Sequence, residues 1–417
     1  MEINRECELW LQQFKQKDHQ TARMLLRAFK FVIASEFSAD LTHLLESKLP
    51  KSESAALFVE RELRSTRGGL PIRMYKEEKL SQGRGKPKRY RARGAALPVV
   101  GSPRNDRQDV GSEGIVAALV SGLARSQQRR FVIHPSAEEF RRAKVRHVVV
   151  VTDLVGSGRR ASRFLSSLWR VRSVRSWASS RLVKFWVFAF SATDAGKAVL
   201  RKHRTHPKLE TVCICPTVSK IRPNDTQEEI RNLCEQSAPE EAKPLGFQDT
   251  GALIAFAHGC PNNAPVIFHK SFTTKGRTWK PLFPARVAHD IAVAAADSEV
   301  DPLTLALDTL GIKSFADKSA FKRSRKSQKH LIILLAAIRK GHRHVESLST
   351  ATGLSLWAIT EAERTAQQQG LLDNNRRLTE PAFSLLRKLE KPSPTAGSVL
   401  SPAPRSSYYP KVLRAPK

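Results

Sequence analysis

The stretch RHVVVVTDLVGSGRRASRFL (residues 146–165) decides the fold of this chain. Its four consecutive valines indicate a strand buried on both faces, as in a parallel sheet. Asp153 follows the valines, Gly156, Ser157 and Gly158 form a turn, and a helix begins beyond them. The amides of such a turn and the dipole of the helix can hold a phosphate. Glycine-rich junctions also occur in α/β folds that bind no phosphate, so both interpretations stay open here.

The segments around this stretch continue an alternation of strands and helices. We expect a helix over 111–127, strands over 146–154, 182–192 and 211–216, and helices between these strands. The alternation predicts an α/β fold with a mostly parallel sheet. Ligands of such sheets bind beyond the carboxyl ends of the strands, which is where the glycine turn lies.

The composition is dominated by positive charge. Lys and Arg number 71 against 39 Asp and Glu, which gives a net charge of +32 and a pI near 10.5. Such a chain attracts polyanions, so nucleic acid is the expected partner. The basic segment 81–94 predicts a surface loop in which Tyr90 stacks on a base. The alternative for this segment is a solvated insertion that binds nothing.

The sequence predicts neither a membrane anchor nor a disulfide framework. Its first residues are charged and its longest apolar runs are too short for a bilayer, so we expect a cytoplasmic protein without a membrane partner. The five cysteines lack regular spacing and fit reduced thiols. Cys213 and Cys215 share one strand face and are expected to be buried, with no metal site.

The expected domain organisation has four parts. A helical N-terminal segment covers 1–70, the α/β domain covers 71–320, a winged helix-turn-helix covers 321–390, and a tail rich in Pro and Ser covers 391–417. The tail has too little apolar content to pack and is expected to be disordered.

The opening stretch resembles the phosphoribosyl-pyrophosphate loop of type I phosphoribosyltransferases. In that family an apolar strand leads into two acidic residues that bind the ribose hydroxyls, and a short loop binds the 5′-phosphate. The resemblance implies that Asp153 is the second acid and the catalytic residue. It implies that Gly156, Ser157 and Gly158 bind the phosphate, and that Mg²⁺ accompanies phosphoribosyl pyrophosphate or a related nucleotide.

The loop departs from the family pattern at two positions. Thr152 stands where the first acidic residue belongs, and Arg160 stands where a threonine is usual. The loss of one carboxylate implies weaker contacts to ribose and metal. Arg159 and Arg160 add positive charge beside the phosphate site, and both remain candidate ligand-binding residues together with Thr152.

The segment HGCPNNAPVIFHKSFTTKGRTWKPLFPAR (258–286) is similar to a second motif. It resembles the PNN…P…W…PLFPR segment of a divergent phosphoribosyltransferase-like family of bacterial conflict systems, which include retrons. This resemblance covers most of residues 5–290 and implies that His258, Asn262 and Asn263 line a pocket. The alternative for the two asparagines is ordinary turn chemistry.

The C-terminal segment VESLSTATGLSLWAITEAERTAQQQGLL (345–372) resembles a MarR-like winged helix-turn-helix. The resemblance implies that a helix at about 355–368 enters the major groove and that a wing touches the DNA backbone. The implied nucleic-acid-binding residues are Trp357, Thr360, Arg364, Arg376 and Arg377. A winged helix that binds protein or a non-duplex nucleic acid is the alternative.

Together these features predict a retron-type antiphage defence effector. The resemblance implies DNA or a DNA–RNA hybrid and a reverse transcriptase as partners, and glycosyl transfer or hydrolysis at C1′ of a phosphoribosyl compound as chemistry. The first alternative is a DNA-binding transcriptional regulator whose degenerate phosphoribosyltransferase domain senses a phosphoribosyl ligand. The second is a scaffold that condenses nucleic acid through its charge.

Overall fold

The structure is a computed structural model. It describes residues 5–80, 89–98, 112–274, 277–284, 319–352 and 356–390, and the single residues 307, 310, 312, 315 and 354. The expected disordered tail, 391–417, and the basic segment 81–88 lie outside these ranges.

A five-stranded parallel sheet forms the centre of the α/β domain. Its order is β5-β2-β6-β7-β8, with β2 (Ala55–Val59), β5 (Phe131–Ile133), β6 (His147–Val155), β7 (Lys184–Ala192) and β8 (Lys208–Ile214). The strands expected at 146–154, 182–192 and 211–216 correspond to β6, β7 and β8. The prediction of an α/β fold with a mostly parallel sheet is therefore confirmed.

Helices cover both faces of this sheet. Alternate β6 side chains enter different cores. Val149 and Val151 pack on the side of α3 (Ala34–Lys48) and α4 (Ser112–Ser126), whereas Val148 and Val150 pack on the side of α6 (Arg159–Trp169). This is why the strand is apolar on both faces. The helices of the domain within the described residues are α1 (Arg5–Leu11), α2 (His19–Ala28), α3 (Ala34–Lys48), α4 (Ser112–Ser126), α5 (Ala137–Arg142), α6 (Arg159–Trp169), α7 (Arg172–Ser179), α8 (Asp194–Arg201) and α9 (Asn224–Ser237).

The N-terminal segment differs from the expected helical unit. It contains β1 (Lys30–Val32), which pairs in parallel with β9 (Ile254–Phe256), and it supplies β2 to the middle of the main sheet. The boundary expected at residue 70 therefore does not separate helices from the sheet. Helical spacing of the apolar residues around β2 concealed a strand whose five residues are all buried.

The expected basic loop is partly a hairpin. β3 (Lys76–Leu80) pairs antiparallel with β4 (Arg89–Arg93). Tyr90 lies on β4, and the guanidinium of Arg172 sits 3.6 Å from the centre of its ring. That cation–π contact occupies one face of the ring that is expected to stack on a base. A second hairpin, β10 (Phe272–Thr274) with β11 (Arg277–Trp279), packs Trp279 against Trp10.

The C-terminal part has the helix order and wing expected of a winged helix. An antiparallel bridge between Leu372 and Leu378 forms the wing. The helices α12 (Val345–Thr352) and α13 (Leu356–Gln368) also contact β8, the edge strand of the main sheet. Within the described ranges, no helix has the length and apolar character needed to cross a membrane. The helices are α10 (Ser319–Arg323), α11 (Lys326–Arg339), α12 (Val345–Thr352), α13 (Leu356–Gln368) and α14 (Glu380–Glu390).

Candidate functional site

The glycine turn lies between the end of β6 and the start of α6. Gly158 precedes α6 with φ 74°, a left-handed conformation that favours glycine. A side chain on Gly156 would place its Cβ 2.3 Å from the Asn263 side chain. Both glycines are therefore required by the geometry, and the turn places the N-terminal amides of α6 at the carboxyl edge of the sheet.

A cavity of about 520 Å³ opens at this edge. The end of β6, the N-terminus of α6 and the loop 261–263 form its walls. The predicted site residues that line it are Asp153, Gly156, Ser157, Gly158, Arg159, Arg160, Asn262 and Asn263.

Asp153 is an ionised group at the wall of the cavity. Its Oδ2 lies 3.4 Å from Nε2 of His258, and its Oδ1 accepts a hydrogen bond from the Leu154 amide at 2.7 Å. Burial opposes ionisation, but the bond to His258 and the charge of Arg160 outweigh it and hold the pKa of Asp153 well below its usual range. Asp153 therefore presents a carboxylate to the cavity at neutral pH.

His258 is placed behind Asp153 by aromatic packing. Its ring stacks on Phe256 at a centroid distance of 5.0 Å and meets Phe37 edge-on at 4.9 Å. Phe256 ends β9, so the pairing of β9 with β1 fixes the histidine beside the carboxylate. The structure thus brings together two predicted site residues that are far apart in the sequence.

Glu60 is a site residue that the sequence analysis missed. It follows β2, is 3% exposed, and its Oε2 accepts hydrogen bonds from Thr152 Oγ1 at 2.6 Å and Arg160 Nε at 2.8 Å. Burial raises the pKa of Glu60 although Arg160 opposes that shift. The signal that could have found it is the apolar run AALFV before it, since a strand there ends beside β6.

The remaining cavity residues have distinct surroundings. Asn263 donates from Nδ2 to Thr250 Oγ1 at 3.0 Å, so it shapes the wall. Asn262 is exposed at the cavity mouth. The Arg159 guanidinium lies 5.9 Å from the centre of the Phe247 ring. These contacts leave Asn262 and Arg159 the more accessible to a ligand.

A metal site would require a close arrangement of the described thiols and carboxylates. Among the described residues, no group of three or more His, Cys, Asp or Glu side chains is arranged to hold a metal ion. Cys213 and Cys215 are buried free thiols, as expected, and burial raises the pKa of both.

The predicted nucleic-acid-binding residues cluster on α13 and the wing. Thr360, Arg364 and Arg376 line one surface depression. Arg376 forms an ion pair with Glu363, with Nε to Oε1 at 2.9 Å, and Arg364 pairs with Glu361 at 2.6 Å. Two of the predicted arginines are therefore held by acidic residues of α13 itself.

The structure describes the side chain of only one of the other two predicted residues, Arg377 and Trp357. Arg377 is exposed on the wing. Trp357 lies on α13, and its side chain is outside the described part of the chain.

The parallel sheet, the glycine turn and the C-terminal helices define a phosphoribosyltransferase-like domain joined to a winged-helix domain. The chain belongs to the PRTase-CE family, whose model matches residues 7–285. Residues 332–415 match the model described as wHTH-PRTase associated. No curated protein and no solved structure matches the chain.

Proposed function

We propose that the cavity binds phosphoribosyl pyrophosphate or a related nucleotide, and that the chain acts as a retron-type antiphage defence effector. The observation that carries the ligand proposal is the ionised Asp153 facing a cavity beside the glycine turn and the N-terminus of α6. A phosphate needs converging amides and a positive helix end, and a ribose diol needs a hydrogen-bond acceptor. Both are present within one cavity.

The binding mode follows from this arrangement. The amides around Ser157 and Gly158 would hold the 5′-phosphate, and Asp153 would accept hydrogen bonds from the ribose hydroxyls. The chemistry we propose is transfer or hydrolysis at C1′, in which the Asp153 carboxylate stabilises positive charge developing on the ribose. The bond from C1′ to the leaving group breaks, and the leaving group keeps the electron pair. The acceptor or a water oxygen bonds to C1′ and gives up its proton to the leaving group or to solvent.

Thermal unfolding with phosphoribosyl pyrophosphate tests the ligand proposal. We expect saturating ligand to raise the Tm, and Asp153→Asn to abolish the rise. Asp225→Asn makes the same chemical change on the exposed surface of α9 and should leave the rise intact. A wild-type Tm that does not respond to the ligand in either the presence or the absence of Mg²⁺ would overturn the proposal.

The defence role is supported by the resemblance of the loop and of the segment 258–286. DNA or a DNA–RNA hybrid would bind the winged helix, and a reverse transcriptase would be the protein partner. Phage plating on a bacterium that carries the chain with its neighbouring genes tests this role. We expect protection that Asp153→Ala removes. Equal protection by the variant would exclude an effector that acts through this cavity.

A transcriptional regulator is the second candidate, and one contact favours it. α8 connects the cavity to the winged helix: Gly196 packs so closely on the turn that a Cβ there would lie 2.5 Å from the Gly156 carbonyl oxygen. At the other end of α8, Leu200 and Arg201 line a cavity of about 730 Å³ together with Thr360 of α13. A ligand at the turn could thus alter the position of α13.

DNA-binding measurements with and without phosphoribosyl pyrophosphate distinguish the two candidates. A regulator requires affinity for duplex DNA that changes with the ligand, because the two binding events must be coupled. Unchanged affinity, together with phage protection, would favour the effector.

A further inference from the structure

Two positions depart from the phosphoribosyltransferase pattern, and the fold brings both side chains to one atom. Oε2 of Glu60 accepts hydrogen bonds from Thr152 Oγ1 at 2.6 Å and from Arg160 Nε at 2.8 Å. Glu60 follows β2, which pairs with β6 along its whole length. A neighbouring strand therefore supplies the carboxylate that position 152 lacks, and an arginine already occupies it.

The Arg160 guanidinium lies between two of the three carboxylates that line the cavity, those of Glu60 and Asp153; the third belongs to Glu62. Arg160 Nη2 is 3.6 Å from Asp153 Oδ1, and 37% of the Arg160 side chain is exposed. The negative charge of Glu60 raises the pKa of Arg160 above its ordinary value. Within the described residues Nη1 has no protein hydrogen-bond partner. The cavity thus contains a permanent positive charge with donors left for a ligand.

The oxygen atoms around this guanidinium do not fit a Mg²⁺ ion held by the protein. Asp153 Oδ1 accepts a hydrogen bond from the Leu154 amide, and Oδ2 faces His258. Mg²⁺ requires a near-octahedral shell of oxygen ligands. The positive charge of Arg160 beside the same carboxylate would also repel the ion.

We propose that Arg160, anchored by Glu60, supplies the positive charge that Mg²⁺ supplies in phosphoribosyltransferases, so that the phosphoribosyl ligand binds without a metal ion. This inference rests on the proposed function, because it concerns the same cavity and ligand. A guanidinium suits the task because its planar donors match phosphate oxygens. Glu60 is then a positioning residue, since it acts on the ligand through Arg160.

Calorimetric titration of the full chain with phosphoribosyl pyrophosphate, in EDTA and in excess MgCl₂, tests this inference. We expect the wild-type Kd to differ by less than about threefold between the two buffers. Arg160→Met should weaken binding in EDTA by at least about tenfold, and Mg²⁺ should recover part of the loss. Arg175→Met removes an exposed arginine of α7 and should change neither value.

Two conservative variants keep the test decisive where Arg160→Met fails to fold. Arg160→Lys retains the charge and should stay independent of Mg²⁺ with reduced affinity. Glu60→Gln retains the shape but releases the guanidinium, and it should weaken binding in EDTA more than in MgCl₂.

The outcomes separate this inference from the proposed function. Wild-type binding only in MgCl₂ would overturn the role of Arg160 and leave the ligand proposal standing. Metal-independent binding that neither Arg160→Met nor Arg160→Lys alters would also overturn that role. The absence of wild-type binding in both buffers would overturn the ligand proposal itself.

Discussion

A buried polar cluster lies at each end of β6, and the two clusters differ in whether they leave hydrogen-bonding groups available to a ligand. At the start of the strand, Trp186 Nε1 donates to His147 Nδ1 at 2.9 Å, and His147 Nε2 lies 2.5 Å from Glu53 Oε2. An indole N–H only donates, so Nδ1 accepts and the proton of a neutral His147 lies on Nε2. Both ring nitrogens of His147 are therefore used within the protein.

At the other end of β6, the cluster borders a cavity. Asp153, Glu60 and Arg160 line about 520 Å³ of open space, and Arg160 keeps exposed donors. Burial is similar at both ends, since His147 is 1% and Asp153 7% exposed. The comparison teaches that burial of a charged or polar group does not mark a site. Hydrogen-bonding groups that the protein leaves unused beside a cavity are the feature that indicates a candidate site.

Removal of His147 should produce the largest effect on stability and none on ligand binding. His147→Ala deletes a buried ring and leaves the Trp186 N–H without an acceptor, which should cost about 4 kcal/mol. Urea denaturation measures the loss, and the ligand-induced rise in Tm should persist. If a folded His147→Ala chain failed to respond to phosphoribosyl pyrophosphate, the two clusters would be coupled and the comparison would fail.

His134, whose ring contacts the Val59 amide beside Glu60, should make the free energy of unfolding depend on pH. Its Nε2 accepts from the Val59 amide at 2.7 Å, directly before Glu60, and burial lowers the pKa of His134 to about 4. The unfolded chain takes up this proton near pH 6.5, so His134 destabilises the fold progressively as pH falls from 6.5 to 4, by about 3 kcal/mol in full.

The measurement for His134 compares two chains over this pH range. The free energy of unfolding of the wild type should fall faster than that of His134→Gln, which has no proton to gain there. Parallel curves for the two chains would show that this histidine carries no such effect.

The same distinction between used and unused side chains applies within the wing. Arg376→Ala removes an ion pair with Glu363, whose side chain is 10% exposed, and should destabilise the winged helix by about 2 kcal/mol. This value lies below that of a fully buried pair because 37% of the Arg376 side chain is exposed.

Arg377→Ala is the matched change on the exposed side of the wing. It should leave stability unaltered and weaken salt-dependent binding to nucleic acid. Thermal unfolding and titration at two salt concentrations measure both variants. A loss of nucleic-acid affinity with Arg376→Ala alone would reverse the two roles.

Thr152→Val should cost less stability than His147→Ala or Arg376→Ala. The change retains volume but removes the hydroxyl that donates to Glu60, and it should cost about 1 kcal/mol of stability. Urea denaturation beside His147→Ala compares the two ends of β6 directly. A cost as large as that of His147→Ala would mean that the hydrogen bonds at the cavity end of β6 stabilise the fold as much as those at its start.

Local patterns predicted much of the fold. β6, the glycine turn, α6 and the order of elements in the winged helix follow from apolar runs, glycines and helical spacing within short windows. β2 was missed because its five residues lie among apolar residues at helical spacing, and its partners β5 and β6 lie more than 70 residues away. The missed strand also concealed Glu60.

The sequence by itself determined the class of the domain and the position of the glycine turn, and it predicted Asp153 as a site residue, because each depends on residues adjacent in the chain. Only the tertiary structure decided which side chains surround that carboxylate. The pairing of β2 with β6 brings Glu60 to Thr152 and Arg160, and the pairing of β1 with β9 brings His258 to Asp153. The physical reason is that strand pairing joins segments distant in sequence, and no local pattern encodes which side chains then meet.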